Sequence, residues 1–131
     1  MTQQGQNTFN HVVDHLKDQN RQAVDNQTRQ CSYAAFKHDG AVLKCAVGCL
    51  LAGSDLQIQA LNTASAEDLR DVHFKPEFVG NDPEFLIELM QAHDGNLYRD
   101  EGFDGIKDTL RAIAKAWFLD VPASLQEGGA V

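Results

Sequence analysis

Apolar residues recur with helical spacing in three stretches of the chain. Phe9, Val12, Val13 and Leu16 fall at i, i+3, i+4 and i+7, which is one stripe of an amphipathic helix. Thr8 or Asn7 is expected to cap its start, and Asn20 to close it as a left-handed C-cap. His11, Asp14, His15 and Asp18 then fall on or beside its wet face. A second stripe, Phe85, Leu86, Leu89, Met90 and His93, follows a strong start signal: Asp82 as N-cap, Pro83 at the first helical position and Glu84 at the positive end of the dipole. Gly95 is expected to stop it. The third stripe, Ile106, Leu110, Ile113, Ala114, Trp117 and Phe118, is opened by Asp104 as cap and ended by Pro122.

The segments between these stripes read differently. Gln19 to Gln30 is polar and loop-like, with Ala23 and Val24 as a last apolar contact. Ser32–Phe36 and Ala41–Lys44 flank an Asp39-Gly40 pair, a pattern that predicts a short β-hairpin near residues 32–44. Its second arm should run into a buried helix from Cys45 to Ala52, closed by Gly53. Ser65-Ala66-Glu67-Asp68 resembles a capping box opening a short helix through Val72. His73 to Gly80 reads as a connecting loop whose aromatic residues dock on the core. The expected fold is mainly α, an α+β chain with a minor hairpin, in which about four helices pack round one core. Residues 1–7 are expected to be a disordered lead, 8–122 a single compact domain and 123–131 a disordered tail. No internal repeat is present.

Length and composition agree with this outline. A chain of 131 residues with 43% hydrophobic content is the size of one domain and can bury a core without staples. Charge adds more. The net charge is −8, divided as +1 over residues 1–53 and −9 over residues 54–131. A chain of that sign repels phosphate backbones, so direct nucleic-acid binding is disfavoured. The acidic half reads first as an ordinary soluble surface, and otherwise as one that meets a basic partner or mimics nucleic acid toward a protein that binds it. The polar N-terminus lacks the pattern of a secretory signal. The longest apolar run, Ala41 to Ala52, is interrupted by Lys44 and is too short for a bilayer. Three cysteines without a signal predict free thiols in a reducing cytoplasm.

Those cysteines carry the main chemical question. Cys31, His38, Cys45 and Cys49 are spaced C-x6-H-x6-C-x3-C, and three thiolates with one imidazole suit tetrahedral zinc. Cys45 and Cys49 nevertheless lie among Ala, Val and Leu rather than in a polar knuckle, and buried cysteine packs as a small hydrophobe. Core packing is therefore the preferred reading, and no cofactor is expected. A nucleophilic Cys45 with His93 as base and Asp94 as its orienter is a further reading, but no local signature supports it. The pairs His38-Asp39 and His93-Asp94 suggest a metal phosphohydrolase only weakly, because the first lies in a turn. Asp94 to Glu101 begins like a calcium loop, but Tyr98 and Arg99 stand where an oxygen ligand and a glycine are needed, so a solvated loop is expected. No phosphate-binding glycine loop, HExxH or GxSxG occurs, and the chain is not expected to be an enzyme.

The segment Cys31-Ser32-Tyr33, the Asp39-Gly40 turn and LKCAVGCLL over residues 43–51 resemble a family of small uncharacterised bacteriophage and prophage proteins. The likeness covers most of residues 9–119, is specific only at the CAVG segment, and departs at the insert from Leu56 to Gly80. It implies no catalytic residues. What it implies is a mobile-element gene acting in the bacterial host cytoplasm. In that setting the expectation is a non-enzymatic binder that modulates or inhibits a host protein, including one of antiviral defence. Its contact surface would be Glu84, Glu88, Asp94, Asp100, Glu101, Asp104 and Asp108, facing a basic partner. Two alternatives stand beside it: a zinc- or thiol-dependent protein centred on Cys31, His38, Cys45 and Cys49, and a homo-oligomeric structural module pairing through residues 106–118. The chain is expected to be a monomer or homodimer.

Overall fold

The computed structural model describes residues 2–24, 33–37, 40–60 and 73–126. Among the described residues, five α-helices, α1 (Gln3–Gln19), α2 (Asp55–Ala60), α3 (Pro83–Asp94), α4 (Asn96–Glu101) and α5 (Phe103–Ala116), accompany a two-stranded antiparallel sheet of β1 (Ala34–Phe36) and β2 (Val42–Lys44). The fold is thus mainly helical with a minor hairpin, as the apolar periodicities predict.

Helix α1 buries the predicted stripe Phe9, Val12, Val13 and Leu16, and Asn20 closes it at φ 52°, its N–H donating to the Leu16 carbonyl. Its start differs from expectation. The helix begins at Gln3, and Thr2 rather than Thr8 or Asn7 is the N-cap, its hydroxyl accepting from Gly5 N–H at 3.2 Å. The expected disordered lead is therefore helical from Gln3. The reason is polar rather than apolar: Gln6 brackets the backbone of Asp120, donating to its carbonyl at 3.0 Å and accepting from its N–H at 2.8 Å. Thr8 is buried and accepts from Asn81 Nδ2 at 2.9 Å.

The hairpin pairs Ala34 with Lys44, Ala35 with Leu43 and Phe36 with Val42. Its loop closes by Lys37 N–H to the Ala41 carbonyl at 2.9 Å, with Gly40 at φ 88° supplying the left-handed residue that three-residue hairpin loops require. The helix expected over residues 45–52 is absent. A turn and a single 3-10 turn (Gly48–Leu50) take its place, and Leu51 forms a β-bridge with Phe74. Gly48 explains the break: a Cβ there would stand 2.0 Å from the Tyr33 carbonyl oxygen, so this backbone is pressed onto the entry to β1.

Helix α2 was not foreseen. Ser54 Oγ accepts from Gln57 N–H at 3.2 Å while Gln57 Oε1 accepts from Ser54 N–H at 2.8 Å, a reciprocal capping box. The second capping box, at Ser65, lies outside the described residues. Phe78 is buried and Phe74 half-buried, so the aromatic residues of the 73–80 connection do dock on the core.

Helix α3 starts as predicted, with Asp82 Oδ1 accepting from Glu84 N–H at 2.9 Å and Pro83 in its first turn. The expected solvated loop after Gly95 is instead the short helix α4. Its Tyr98 is fully buried and donates to the Leu16 carbonyl at 2.8 Å. Helix α5 opens at Phe103 after Gly102, one residue before the predicted cap Asp104. The predicted tail also changes. Ala123–Leu125 form a 3-10 turn whose Leu125 is fully buried, so the packed structure extends past residue 122. No helix among the described residues is long and apolar enough to cross a membrane.

Candidate binding surface

The two described cysteines are core residues. Cys45 Sγ accepts from Gly48 N–H at 3.2 Å, and Cys49 Sγ donates to the Ala46 carbonyl at 3.2 Å. Burial pushes the Cys45 thiol up to about 12 and raises that of Cys49 as well, so both stay protonated at neutral pH. Cys31 and His38 lie outside the described residues. Among the described residues, no group of three or more His, Cys, Asp or Glu side chains is placed to hold a metal.

His93 is fully buried at the end of α3 and is saturated by its neighbours. Its Nε2 accepts from Ala23 N–H at 2.9 Å, which places the ring proton on Nδ1, facing Asp94 Oδ1 at 2.6 Å. Gln22 Nε2 donates to the His93 and Gly95 carbonyls at 2.8 and 3.1 Å. No lone pair on this ring is left to deprotonate a thiol. The pair instead fastens the chain after α1 to the C-terminus of α3. His11 and His15 do similar work on the other side of α1. Their Nε2 atoms contact the carbonyl oxygens of Cys49 at 3.3 Å and Lys44 at 2.8 Å, and burial lowers the His15 pKa.

The seven acidic residues singled out from the sequence all lie on α3, α4 and α5, which pack against one another. They are not equivalent. Asp94 is turned to His93, and Glu88 accepts from Trp117 Nε1. Asp100, Asp104 and Asp108 each pair with a cation of their own helix: Arg99 at 3.0 Å, Lys107 at 3.1 Å, and Arg111. The Arg99 hydrogen bond holds the Asp100 carboxyl below its ordinary range. Glu84 and Glu101 are exposed and have no cation partner among the described residues. Across residues 82–116 there are eight carboxylates and four Lys/Arg, a net of −4.

Beside these charges runs a groove of about 570 Å³ between α3 and α5, open along one side. Ala92 of α3, Gly95 at the α3–α4 junction, Leu97 of α4, and Ala112, Ile113 and Ala116 of α5 supply its apolar surface. Leu97 is 52% exposed. Ala116 also borders a second cleft, of about 480 Å³, which ends at Phe118.

Phe118 was expected inside, with Trp117. It is 89% exposed and sits at φ 57°, in left-handed backbone normally left to glycine or asparagine. Its N–H donates to the Lys115 carbonyl at 3.3 Å, and Leu119 N–H to that of Ala114 at 2.8 Å. This is a Schellman closure of α5 with phenylalanine in the glycine position. The closure buries Leu119 and swings Phe118 outward.

The groove was missed in the sequence although a signal for it exists. Gly105, Thr109, Ala112 and Ala116 fall at i, i+4, i+7 and i+11, a strip of small residues flanking the apolar stripe of α5. Gly105 lets α4 cross closely, since a Cβ there would stand 2.6 Å from the Leu97 carbonyl oxygen. No family model matches the chain, and no curated protein or solved structure matches it significantly.

Proposed function

We propose that the protein is a non-enzymatic binding module that engages a basic protein through the surface of α3, α4 and α5. The observation that supports this best is the net of −4 over residues 82–116, with Glu84 and Glu101 exposed and without a cation partner among the described residues, on helices packed into one core. Exposed charges held on rigid elements steer a basic partner and make association salt-sensitive. The same sign disfavours nucleic acid as the direct ligand. The setting belongs to the proposal as well: a phage- or prophage-borne gene whose product acts in the host cytoplasm on a host protein, including a component of antiviral defence. The burial of Cys45 and Cys49 weighs against a thiol-dependent role. A self-associating module is the second reading, favoured by exposed Phe118 and opposed by a chain charge of −8.

Affinity capture from bacterial lysate with the full chain tests the proposal. A basic protein should be retained at low salt, released at high salt, and lost with the Glu84→Lys/Glu101→Lys chain. Equal retention by that variant removes the acidic surface as the cause.

A further inference from the structure

The groove between α3 and α5 has the dimensions and chemistry to take a helix. Its α5 wall runs from Ile106 to Ala116, eleven residues with a rise of about 15 Å, close to three helical turns. Its floor is built largely of side chains that stop at or near Cβ, Ala92, Gly95, Ala112 and Ala116, so an incoming backbone can approach closely. Leu97 stands exposed at one end, and Phe118 lies beyond Ala116 at the other.

The α3 wall is acidic. Glu84, Glu88 and Gln91 follow at i, i+4 and i+7 along it, and Glu88 and Gln91 line the groove. The α5 side is balanced: Asp108 is paired with Arg111, and Lys115 follows Asp108 at i+7 on the same face. A second copy of this chain, at −8, brings the same sign of charge to the α3 wall, and an anionic membrane does likewise. A groove this open to solvent suits the side of a helix better than a small molecule, whose sites enclose most of the ligand.

We infer that the α3–α5 groove seats one amphipathic helix of a protein partner, apolar on the face turned to Leu97, Ala112 and Ala116 and carrying Lys or Arg on its flanks toward Glu84 and Glu88. This deepens the acidic-surface reading and rests on it. The partner is read by shape as well as by charge.

The test uses the full chain and two fluorescent peptides of about fourteen residues. One is a Leu/Lys sequence with helical amphipathic spacing. The other has the same composition scrambled to abolish that spacing. Anisotropy titrations are run on the wild type, on Ala112→Trp, which fills the groove from an exposed position, and on Glu84→Lys/Glu88→Lys. Circular dichroism confirms that each variant is folded. The amphipathic peptide should bind at least tenfold more tightly than the scrambled one, and both variants should reduce that binding at least tenfold. Equal binding of the two peptides, untouched by Ala112→Trp but lost on charge reversal, overturns the groove and leaves the acidic surface standing. No saturable binding of either peptide below about 1 mM overturns both. A wild-type dimer in sedimentation that Ala112→Trp dissociates overturns the partner helix in favour of a second copy.

Discussion

Asn20 Oδ1 accepts the backbone N–H of Phe103 at 2.8 Å, so the residue that ends α1 also caps the start of α5. Its backbone is left-handed and its side chain fills the space beside Gly102, where a Cβ would lie 2.6 Å from that oxygen. Asn20→Gly keeps the backbone conformation but removes the cap, and should cost about 1 kcal/mol in urea denaturation. Asn20→Ala adds left-handed strain and should cost about 2 kcal/mol or more. Equal losses in the two variants would show that the cap, not the backbone, carries the effect.

The fully buried His93 ring joins Ala23 to the partly exposed Asp94. His93→Leu keeps apolar volume but leaves Ala23 N–H buried and unpaired, a loss of roughly 2–4 kcal/mol. Asp94→Asn retains an acceptor for the Nδ1 proton and should cost less than about 1 kcal/mol, because that carboxylate is partly solvated. Denaturant midpoints for the two variants measure the difference.

Stability should fall on the alkaline side. The Cys45 thiol rises from 9.0 to about 12 and the Tyr98 hydroxyl from 10.0 to about 12, both chiefly because burial disfavours the charged form. The folded state therefore holds its protons where the unfolded chain has released them. The stabilisation is complete below about pH 9 and is lost as pH rises toward 12, by an amount on the order of a few kcal/mol. Thermal melts between pH 8 and 11 should show the decline, and Cys45→Ala should flatten its first part.

Phe118→Gly should raise stability. Left-handed backbone costs an L-residue about 1–2 kcal/mol, glycine's greater unfolded freedom returns part of that, and an exposed ring contributes little burial, leaving a net gain of about 0.5–1 kcal/mol. A melting temperature unchanged or lowered by Phe118→Gly would mean that the ring supports the fold after all.

The elements legible in the sequence are those whose cause is local. The stripes of α1, α3 and α5, the left-handed Asn20 and the Asp82-Pro83 start each depend on residues within a few positions of one another. The capping box of Ser54 and Gln57 is equally local, but no apolar stripe follows it to mark a helix. The departures have distant causes. Gly48 breaks a helical pattern because Tyr33 occupies the space of a Cβ. Tyr98 turns an apparent loop into a helix because its hydroxyl finds Leu16, 82 positions away. Gln4 and Gln6 look like solvent-facing residues until the backbones they hold, at Val79 and Asp120, are in place. The acidic character of the candidate surface was visible as composition. Its groove was not, because a groove depends on how α3 and α5 lie together.

The bracket between Gln6 and Asp120 spans 114 positions, and the bonds from Tyr98 to Leu16 and from Asn20 to Phe103 span 82 and 83. Helix α1 is thus completed by segments made 82 to 114 positions after it. Until residues near 120 emerge, Phe9, Val12 and Leu16 have no finished surface to meet, and a nascent chain carries that stripe uncovered while they are made. The rate of translation through residues 98–120 sets how long that stripe must wait.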